Sequence, residues 1–348
     1  LNAKSVKISH FSDLPDTGQV YIIELTNYTI LLSELLKKAD VTVAAFIQIT
    51  QNNSGLTSSK IPIISLMDFA ALCTQDRQTV LFSENLVRNA PQCLQQLNAT
   101  DIDVFYDTWP IMKPYKEARE WFYIAGALRF YSNKEYGVLY DIGSNRGGAT
   151  SIALDHYRHI IGIEANPVQQ QVYLGKFAEY AHVQLLGKAL GSKAQKGPRK
   201  FYVDASESGG GSSLYAENTE RHKVTGIEEI NVVVETLDEV CDEINLFPTF
   251  IKIDIEGSEP DALLAGKRMI EKHKPVILFE CWNDSWDKGV RELCLYLKEQ
   301  GYALYSTIAG GDLWDIFEYG YSLDYVTNAL CLPPGKNLPT KIWGRTPS

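Results

Sequence analysis

Short apolar runs recur along this chain, each followed by a polar turn and then an amphipathic stretch. That alternation predicts strands and helices in turn, and hence a parallel sheet. Val20 to Leu25 reads as a buried strand. Thr29 to Ala39 reads as a helix with Leu31, Leu32, Leu35 and Leu36 on one face. Val41 to Ile49 is a β-branched strand, and Asn52-Asn53-Ser54-Gly55 has loop chemistry. Short strands at Ile61 to Leu66, Val80 to Phe82 and Asp103 to Tyr106 follow, with a helix near Pro91 to Leu97. Residues 1–110 are therefore expected to form a small α/β domain.

That domain is similar in layout to a Rossmann-like unit. Its first turn, Glu24-Leu25-Thr26-Asn27, lacks the glycines that bring backbone close to a phosphate. A scaffold or oligomerisation role is favoured over nucleotide binding, so a homo-oligomer formed through this domain is one expectation. Residues 111–136 are rich in aromatics, with Trp121, Phe122, Tyr123, Phe130 and Tyr131. They read as a connecting helix under the next sheet, with a lid as the alternative.

The apolar pattern resumes at Gly137-Val138-Leu139-Tyr140-Asp141-Ile142-Gly143-Ser144-Asn145-Arg146-Gly147, followed by helical spacing through Ala149, Ile152 and Ala153. Strand, turn and helix place this turn where parallel sheets bind ligands. Gly143 and Gly147 permit a tight turn and close approach to a ligand. A pyrophosphate-binding turn reads G-x-G-x-x-G, whereas this one reads D-x-G-x-x-x-G. The Asp141 carboxylate would repel a pyrophosphate and suits a cation, such as the ammonium and sulfonium of S-adenosylmethionine. The next strand, Ile160 to Ile163, ends in Glu164, placed to accept hydrogen bonds from ribose hydroxyls.

Pro167 to Tyr180 is a helix, and Val183 to Leu186 a third strand. Lys188, Lys193, Lys196, Arg199 and Lys200 fall within thirteen residues that hold no acid. They read as a solvated loop, or alternatively as a handle for an anionic substrate. Lys200 to Ala205 looks like an extra strand, and Ser206 to Ser213 is a Gly/Ser loop that suits a mobile cover or a linker. Ile230 to Val234 is a strand, and Thr236 opens a short helix.

Phe250-Ile251-Lys252-Ile253-Asp254-Ile255-Glu256-Gly257-Ser258-Glu259-Pro260 breaks the rule that buried parallel strands are apolar. Lys252, Asp254 and Glu256 alternate, so all three are expected on one side of the strand. Ser258 is expected to cap one helix running through Met269 and Ile270, with His273 as a partner of its C-terminal dipole. Pro275 to Glu280 is a fifth strand tipped by an acid. Arg291 to Gln300 is a helix, Tyr302 to Thr307 and Thr327 to Leu332 are strands, and 336–348 is an extended tail.

Composition narrows the class. The chain has 348 residues, 45% hydrophobic and 22% charged, which suits two ordinary globular domains. A net charge of −10 disfavours nucleic acid and anionic membranes as partners. The six cysteines are dispersed without a C-x-x-C, so neither a disulfide framework nor a metal site is indicated, and a cytoplasmic setting is expected. No run reaches membrane-spanning length and no signal-peptide pattern is read. The start at Leu1 leads to the expectation of a chain trimmed upstream.

Taken together, Asp141-Ile-Gly-Ser-Asn-Arg-Gly, Glu164-Ala-Asn-Pro167, Ile253-Asp-Ile-Glu-Gly-Ser-Glu259 with Gly266, and Pro275 to Glu280 resemble the FkbM-type methyltransferases. The resemblance covers about 137–332 and makes 137–335 the expected methyltransferase domain. It implies a class I adenosylmethionine fold: a Rossmann-like, mostly parallel seven-stranded sheet with an antiparallel last strand. It also implies O-methylation, often of sugars, polysaccharides or polyketide-type products. Asp141, Gly143, Ser144, Asn145 and Gly147 would line the methionine end of the cofactor, with Glu164 and Asn166 at the ribose. Ala189 and Leu190 would lie in the loop beside the adenine. Asp254 would sit near the methyl, with Glu256 and Glu280 as further candidate bases and Glu259 of open role. Trp282, Asn283, Asp284 and Trp286 suit a hydroxylated or glycan acceptor, and His222 is a remote candidate. The competing readings are a non-catalytic adenosylmethionine-binding module and a nicotinamide oxidoreductase, the latter disfavoured by Asp141.

Overall fold

In the computed structural model the described residues are 4–7, 19–23, 32, 36, 41–48, 55–56, 62–65, 68–69, 80–82, 104–107, 121–206, 208–221, 226–281, 286–307 and 328–338. The chain divides into two units, Leu1–Arg119 with Ile316–Tyr325, and Glu120–Asp315 with Val326–Ser348.

Among the described residues the first unit holds seven strands: β1 (Lys4–Lys7), β2 (Gln19–Ile23), β3 (Thr42–Gln48), β4 (Gly55–Leu56), β5 (Pro62–Ser65), β6 (Val80–Phe82) and β7 (Val104–Asp107). Their order is β1-β7-β6-β2-β3-β5-β4. All neighbours are parallel except β4 with β5. Val20, Ile22, Ala45, Ile47, Val80 and Leu81 are buried from its inner strands, as the apolar runs demand. The two edge strands escape the sequence pattern. Lys-Ser-Val-Lys has one apolar residue, and Gly55 sits in β4 rather than in the expected loop. The Glu24–Asn27 turn and the Pro91–Leu97 helix lie outside the described residues.

The second unit opens with helix α1 (121–130). Tyr123, Ile124, Ala127 and Leu128 recur at helical spacing and pack into the main core with Leu139, Phe250 and Leu278. The remaining elements, in chain order, are β8 (Val138–Ile142), α2 (Gly148–Ala153), β9 (His159–Ile163), α3 (Pro167–Phe177), β10 (Val183–Leu186), β11 (Ala189–Leu190), β12 (Gly197–Asp204), α4 (Ala216–Arg221), β13 (Ile227–Glu235), α5 (Leu237–Ile244), β14 (Phe250–Ile253), α6 (Glu259–Leu264), α7 (Lys267–His273), β15 (Val276–Glu280), α8 (Arg291–Glu299), β16 (Ala303–Ser306) and β17 (Asn328–Leu332).

The main sheet runs β10-β9-β8-β14-β15-β17-β16. Counted within the unit this is 3-2-1-4-5-7-6, parallel throughout except for β17, which is antiparallel to both neighbours. That is the seven-stranded, mostly parallel sheet with an antiparallel last strand that the resemblance implies. Strand order reverses between β8 and β14, and such a switch point opens a crevice at the carboxyl ends of those strands. A second, three-stranded sheet, β11-β13-β12, carries the insertion. Its β12–β13 pair is antiparallel, from Gly197 opposite Val234 to Asp204 opposite Ile227.

Several local expectations need correction. The helix expected to run on from Ser258 breaks at Ala265–Gly266 into α6 and α7. Ser258 holds the N-cap position, but its hydroxyl makes no cap hydrogen bond. His273 stacks on Phe247, ring centroids 4.0 Å apart and 6° from parallel. Burial, helped by Lys272, holds its pKa below the ordinary value, so at neutral pH it is an uncharged stacking ring rather than a dipole partner. Three cations of the basic run pair with acids. Lys188 pairs with Glu235 and Glu243, Lys196 with Glu239, and Lys200 with Glu229. Arg199 donates to the carbonyls of Ala194 and Pro198. These four cations meet acids and carbonyls of their own unit, so the run is not the unpaired one its sequence suggested. Among the described residues, no helix is long and apolar enough to cross a membrane.

Candidate active site

The turn after β8 is fixed from below. Asp141 is fully buried, and its Oδ2 accepts from the Thr150 amide at 3.0 Å and the Thr150 hydroxyl at 2.7 Å. The Thr150 hydroxyl also meets that of Tyr173 at 3.0 Å. The carboxylate thus ties the strand to the first turn of α2. Burial pushes the Asp141 carboxyl up, against the opposing pull of Lys252 and the Thr150 donors. Asp141 Oδ1 has no hydrogen-bond partner, and the Lys252 ammonium stands 3.9 Å away.

From the side, the turn is fixed by β9. The amides of Gly143 and Ser144 donate to the Ile163 carbonyl at 2.8 and 3.1 Å. The Asn145 amide donates to Glu164 Oε2 at 2.8 Å, and the Asn166 amide to Glu164 Oε1 at 2.8 Å. Glu164 is 8% exposed; burial raises its pKa, and these amides together with Lys252 oppose the rise. Ser144 Oγ and Asn145 Oδ1 are buried without partners.

Packing alone already requires both glycines. A Cβ on Gly143, at φ 71°, would strike the Asp254 carbonyl oxygen. One on Gly147, at φ 75°, would lie 2.2 Å from the Phe177 ring.

Across the switch point, β14 ends at Ile253, so Asp254 and Glu256 lie beyond the strand. Lys252 and Asp254 do face each other, Nζ to Oδ2 3.3 Å, and Lys252 Nζ also reaches the Gly143 carbonyl at 3.5 Å. Glu256 leaves the strand alternation, adopting φ 55° in a left-handed turn. Its carbonyl accepts from Ser213 Oγ and Asn218 Nδ2, each at 2.8 Å. Glu259 holds the same turn from within, accepting from the Ile255 amide at 2.7 Å and the Gly257 amide at 2.9 Å. Carboxylate oxygens of Asp254, Glu259 and Glu280 lie within 4.8 Å of one another.

The structure therefore brings Asp141, Gly143, Ser144, Asn145, Gly147, Glu164 and Asp254 into one network around Lys252, with Glu280 beside Asp254. Asn166 plays a local part: it is 1% exposed and its Oδ1 caps α3 by accepting from the Val168 amide. Ala189 and Leu190 form strand β11 rather than a loop, paired with Val234 and Glu235 and buried. The Gly/Ser segment is a built turn. Asp204 accepts from the amides of Ser206 and Gly211 and from the Ser206 hydroxyl, and Asn145 Nδ2 donates to the Ser208 carbonyl at 3.0 Å. His222, Trp282, Asn283 and Asp284 lie outside the described residues, and Trp286 opens an irregular turn to Val290, kinked at Gly289 with φ 108°. Thr150, Ser213 and Asn218 were missed from the sequence. They bear no motif, and only their long-range partners reveal them.

The family profile described as the Methyltransferase FkbM domain matches residues 141–304. Among solved structures, the chain is similar to a methyltransferase FkbM from Methylobacillus flagellatus KT, at 15% identity and TM-score 0.37, covering 92% of this chain and 91% of that one. It is also similar to a precorrin-6y C5,15-methyltransferase from Geobacter metallireducens GS-15, at 15% identity and TM-score 0.30, over 53% and 70% of the two chains. A third is the N-methyltransferase NodS from Bradyrhizobium japonicum WM9, at 9% identity and TM-score 0.32, over 63% and 94%. No curated protein matches the chain. The identification rests on the matched profile, which begins at the buried Asp141, and on the strand order of the sheet. This chain is a methyltransferase, and residues 141–304 are its FkbM domain.

Proposed function

We propose that the protein is an S-adenosylmethionine-dependent O-methyltransferase whose acceptor is a hydroxyl of a glycan or a related hydroxylated small molecule. The observation that carries this reading is the meeting, at one sheet edge, of an incompletely paired cofactor turn with the Asp254–Glu280 carboxylates.

The turn fits the cofactor by its unmet hydrogen bonds. Ser144 Oγ, Asn145 Oδ1 and Asp141 Oδ1 are buried without a hydrogen-bond partner, and such atoms are costly unless something pairs with them. An ionised carboxylate accepts about four hydrogen bonds. Glu164 uses two on backbone amides, which leaves capacity for the two hydroxyls of a ribose. Ser144 and Asn145 would hold the methionine end.

When bound, S-adenosylmethionine supplies a methyl group on a sulfonium that leaves as a neutral thioether. Asp254 is the group proposed to take the proton of the acceptor hydroxyl. Its side chain is 39% exposed, and the Lys252 ammonium fixes one of its oxygens. Glu259 is a poor candidate because it is 2% exposed and both its oxygens are engaged. Glu280, whose carboxylate lies within 4.8 Å of that of Asp254, is the supporting acid, with Glu256 in the turn that follows. Positioning by these rigid strand ends does most of the work in a displacement that needs little leaving-group help.

The test is transfer of labelled methyl from S-adenosylmethionine into a panel of glycans and hydroxylated small molecules. The expected product is an ether that survives mild base. Asp254→Asn is expected to lower the rate by roughly 10²–10⁴-fold, the usual range for losing a general base, with S-adenosylhomocysteine affinity kept. Label found only in amines or base-labile esters would contradict the reading.

A further inference from the structure

We propose that Lys252 sets the preference between the cationic methyl donor and its neutral product, as the buried ammonium among the carboxylates of the switch point. The inference rests on the S-adenosylmethionine reading above.

Lys252 is 6% exposed and is the only buried Lys or Arg among the residues whose burial is described. Asp141 and Lys252 are register partners on adjacent parallel strands, so their side chains leave the same face. The ammonium stands 3.3 Å from Asp254, 3.5 Å from the Gly143 carbonyl and 3.9 Å from Asp141. Its field also reaches Glu164 and Glu280. One cation thus serves carboxylates from four strand ends. Burying an ammonium costs several kcal/mol before pairing, and an apolar side chain of similar length would fill the same space without that cost. The position therefore calls for the charge.

S-adenosylmethionine and S-adenosylhomocysteine differ by one methyl and one positive charge. Carboxylates without a counter-ion would hold the sulfonium strongly. That charge is lost during transfer, so such binding would favour the ground state over the transition state. Lys252 offsets the field while its contacts with Gly143 and Asp254 keep the cofactor turn and the proposed base in register.

Calorimetric affinities for both ligands, measured on wild type, Lys252→Met and the charge-balanced Asp141→Asn/Lys252→Met, test this without an acceptor. Lys252→Met is expected to shift the affinity ratio toward S-adenosylmethionine by at least about tenfold, the scale of one unit charge about 12 Å away at an effective dielectric of about 20. The double variant is expected to return toward the wild-type ratio. A ratio unchanged in Lys252→Met, or a double variant shifted as far as the single one, overturns the proposal. If Lys252→Met does not fold, Asp141→Asn alone should shift the ratio the opposite way, and no shift there overturns it. A wild-type protein that binds neither ligand would instead overturn the cofactor reading.

Discussion

A Cβ placed on Gly143 would lie 1.8 Å from the carbonyl oxygen of Asp254. The cofactor turn and the segment that bears the proposed base are thus in backbone contact, reinforced by the Asp254 amide donating to the Ile142 carbonyl at 3.0 Å. Neither backbone can give way by rotating a side chain. Gly143→Ala adds a left-handed φ to that clash. It is expected to cost more than about 3 kcal/mol in urea unfolding, in the range that marks an enforced backbone shift. A loss below about 1 kcal/mol would show that the two turns move independently.

Glu259 should give the protein a pH-dependent stability. Burial pushes its carboxyl up to about 8; the amides of its turn pull the other way, while Asp254 and Glu256 add to the rise. The folded chain therefore holds a proton that the unfolded chain releases above its ordinary carboxylate value. The contribution is fully present below about pH 4.5 and is lost as pH rises through about 8. The loss is expected to be on the order of a few kcal/mol. Unfolding free energies across that window should flatten in Glu259→Gln, which itself leaves one amide without an acceptor and costs about 1–3 kcal/mol. A slope identical to wild type would assign the titration elsewhere.

Glu256 is a non-glycine residue held at φ 55°. Its backbone position is stabilised by Ser213 and Asn218, both donating to its carbonyl. Left-handed geometry costs an L-residue about 1–2 kcal/mol, and glycine removes that cost while adding unfolded-state entropy. Glu256→Gly is therefore expected to leave stability unchanged or raise it by up to about 1 kcal/mol, while methyl transfer falls through loss of the carboxylate. Thermal melts and transfer assays on the same preparation check both parts. A protein destabilised with activity intact would reverse the assignment.

The sequence made the acidic strand tips legible because the signal is local. An apolar run, an acid and a turn within ten residues give β8 with Asp141, β9 with Glu164 and β15 with Glu280. It also showed that Lys252 and Asp254 share a side, since strand periodicity is strict. The same periodicity failed one step later: β14 stops at Ile253, and Glu256 turns under hydrogen bonds from residues some forty positions away. The basic run looked unpaired for the same reason, its acids lying on β13 and α5. Gly143 and Gly147 were recognised as turn glycines, yet the neighbours that forbid a Cβ there are Asp254, Tyr173 and Phe177, which only the fold brings near. Asn166 was placed from the local sequence beside Glu164, to which its amide donates, but the task of its side chain as the cap of α3 was not read.

The cofactor reading stands most directly on Glu164, whose two oxygens tie the Asn145 and Asn166 turns together and keep acceptor capacity for a ribose. Calorimetric titration of S-adenosylhomocysteine into wild type and Glu164→Gln tests it, with a thermal melt to confirm the variant is folded. The expected result is one-to-one binding by the wild type and an affinity roughly 10–100-fold lower in the variant, the worth of charged hydrogen bonds to a ligand. Equal affinity in the two proteins, or no binding by the wild type, would contradict it.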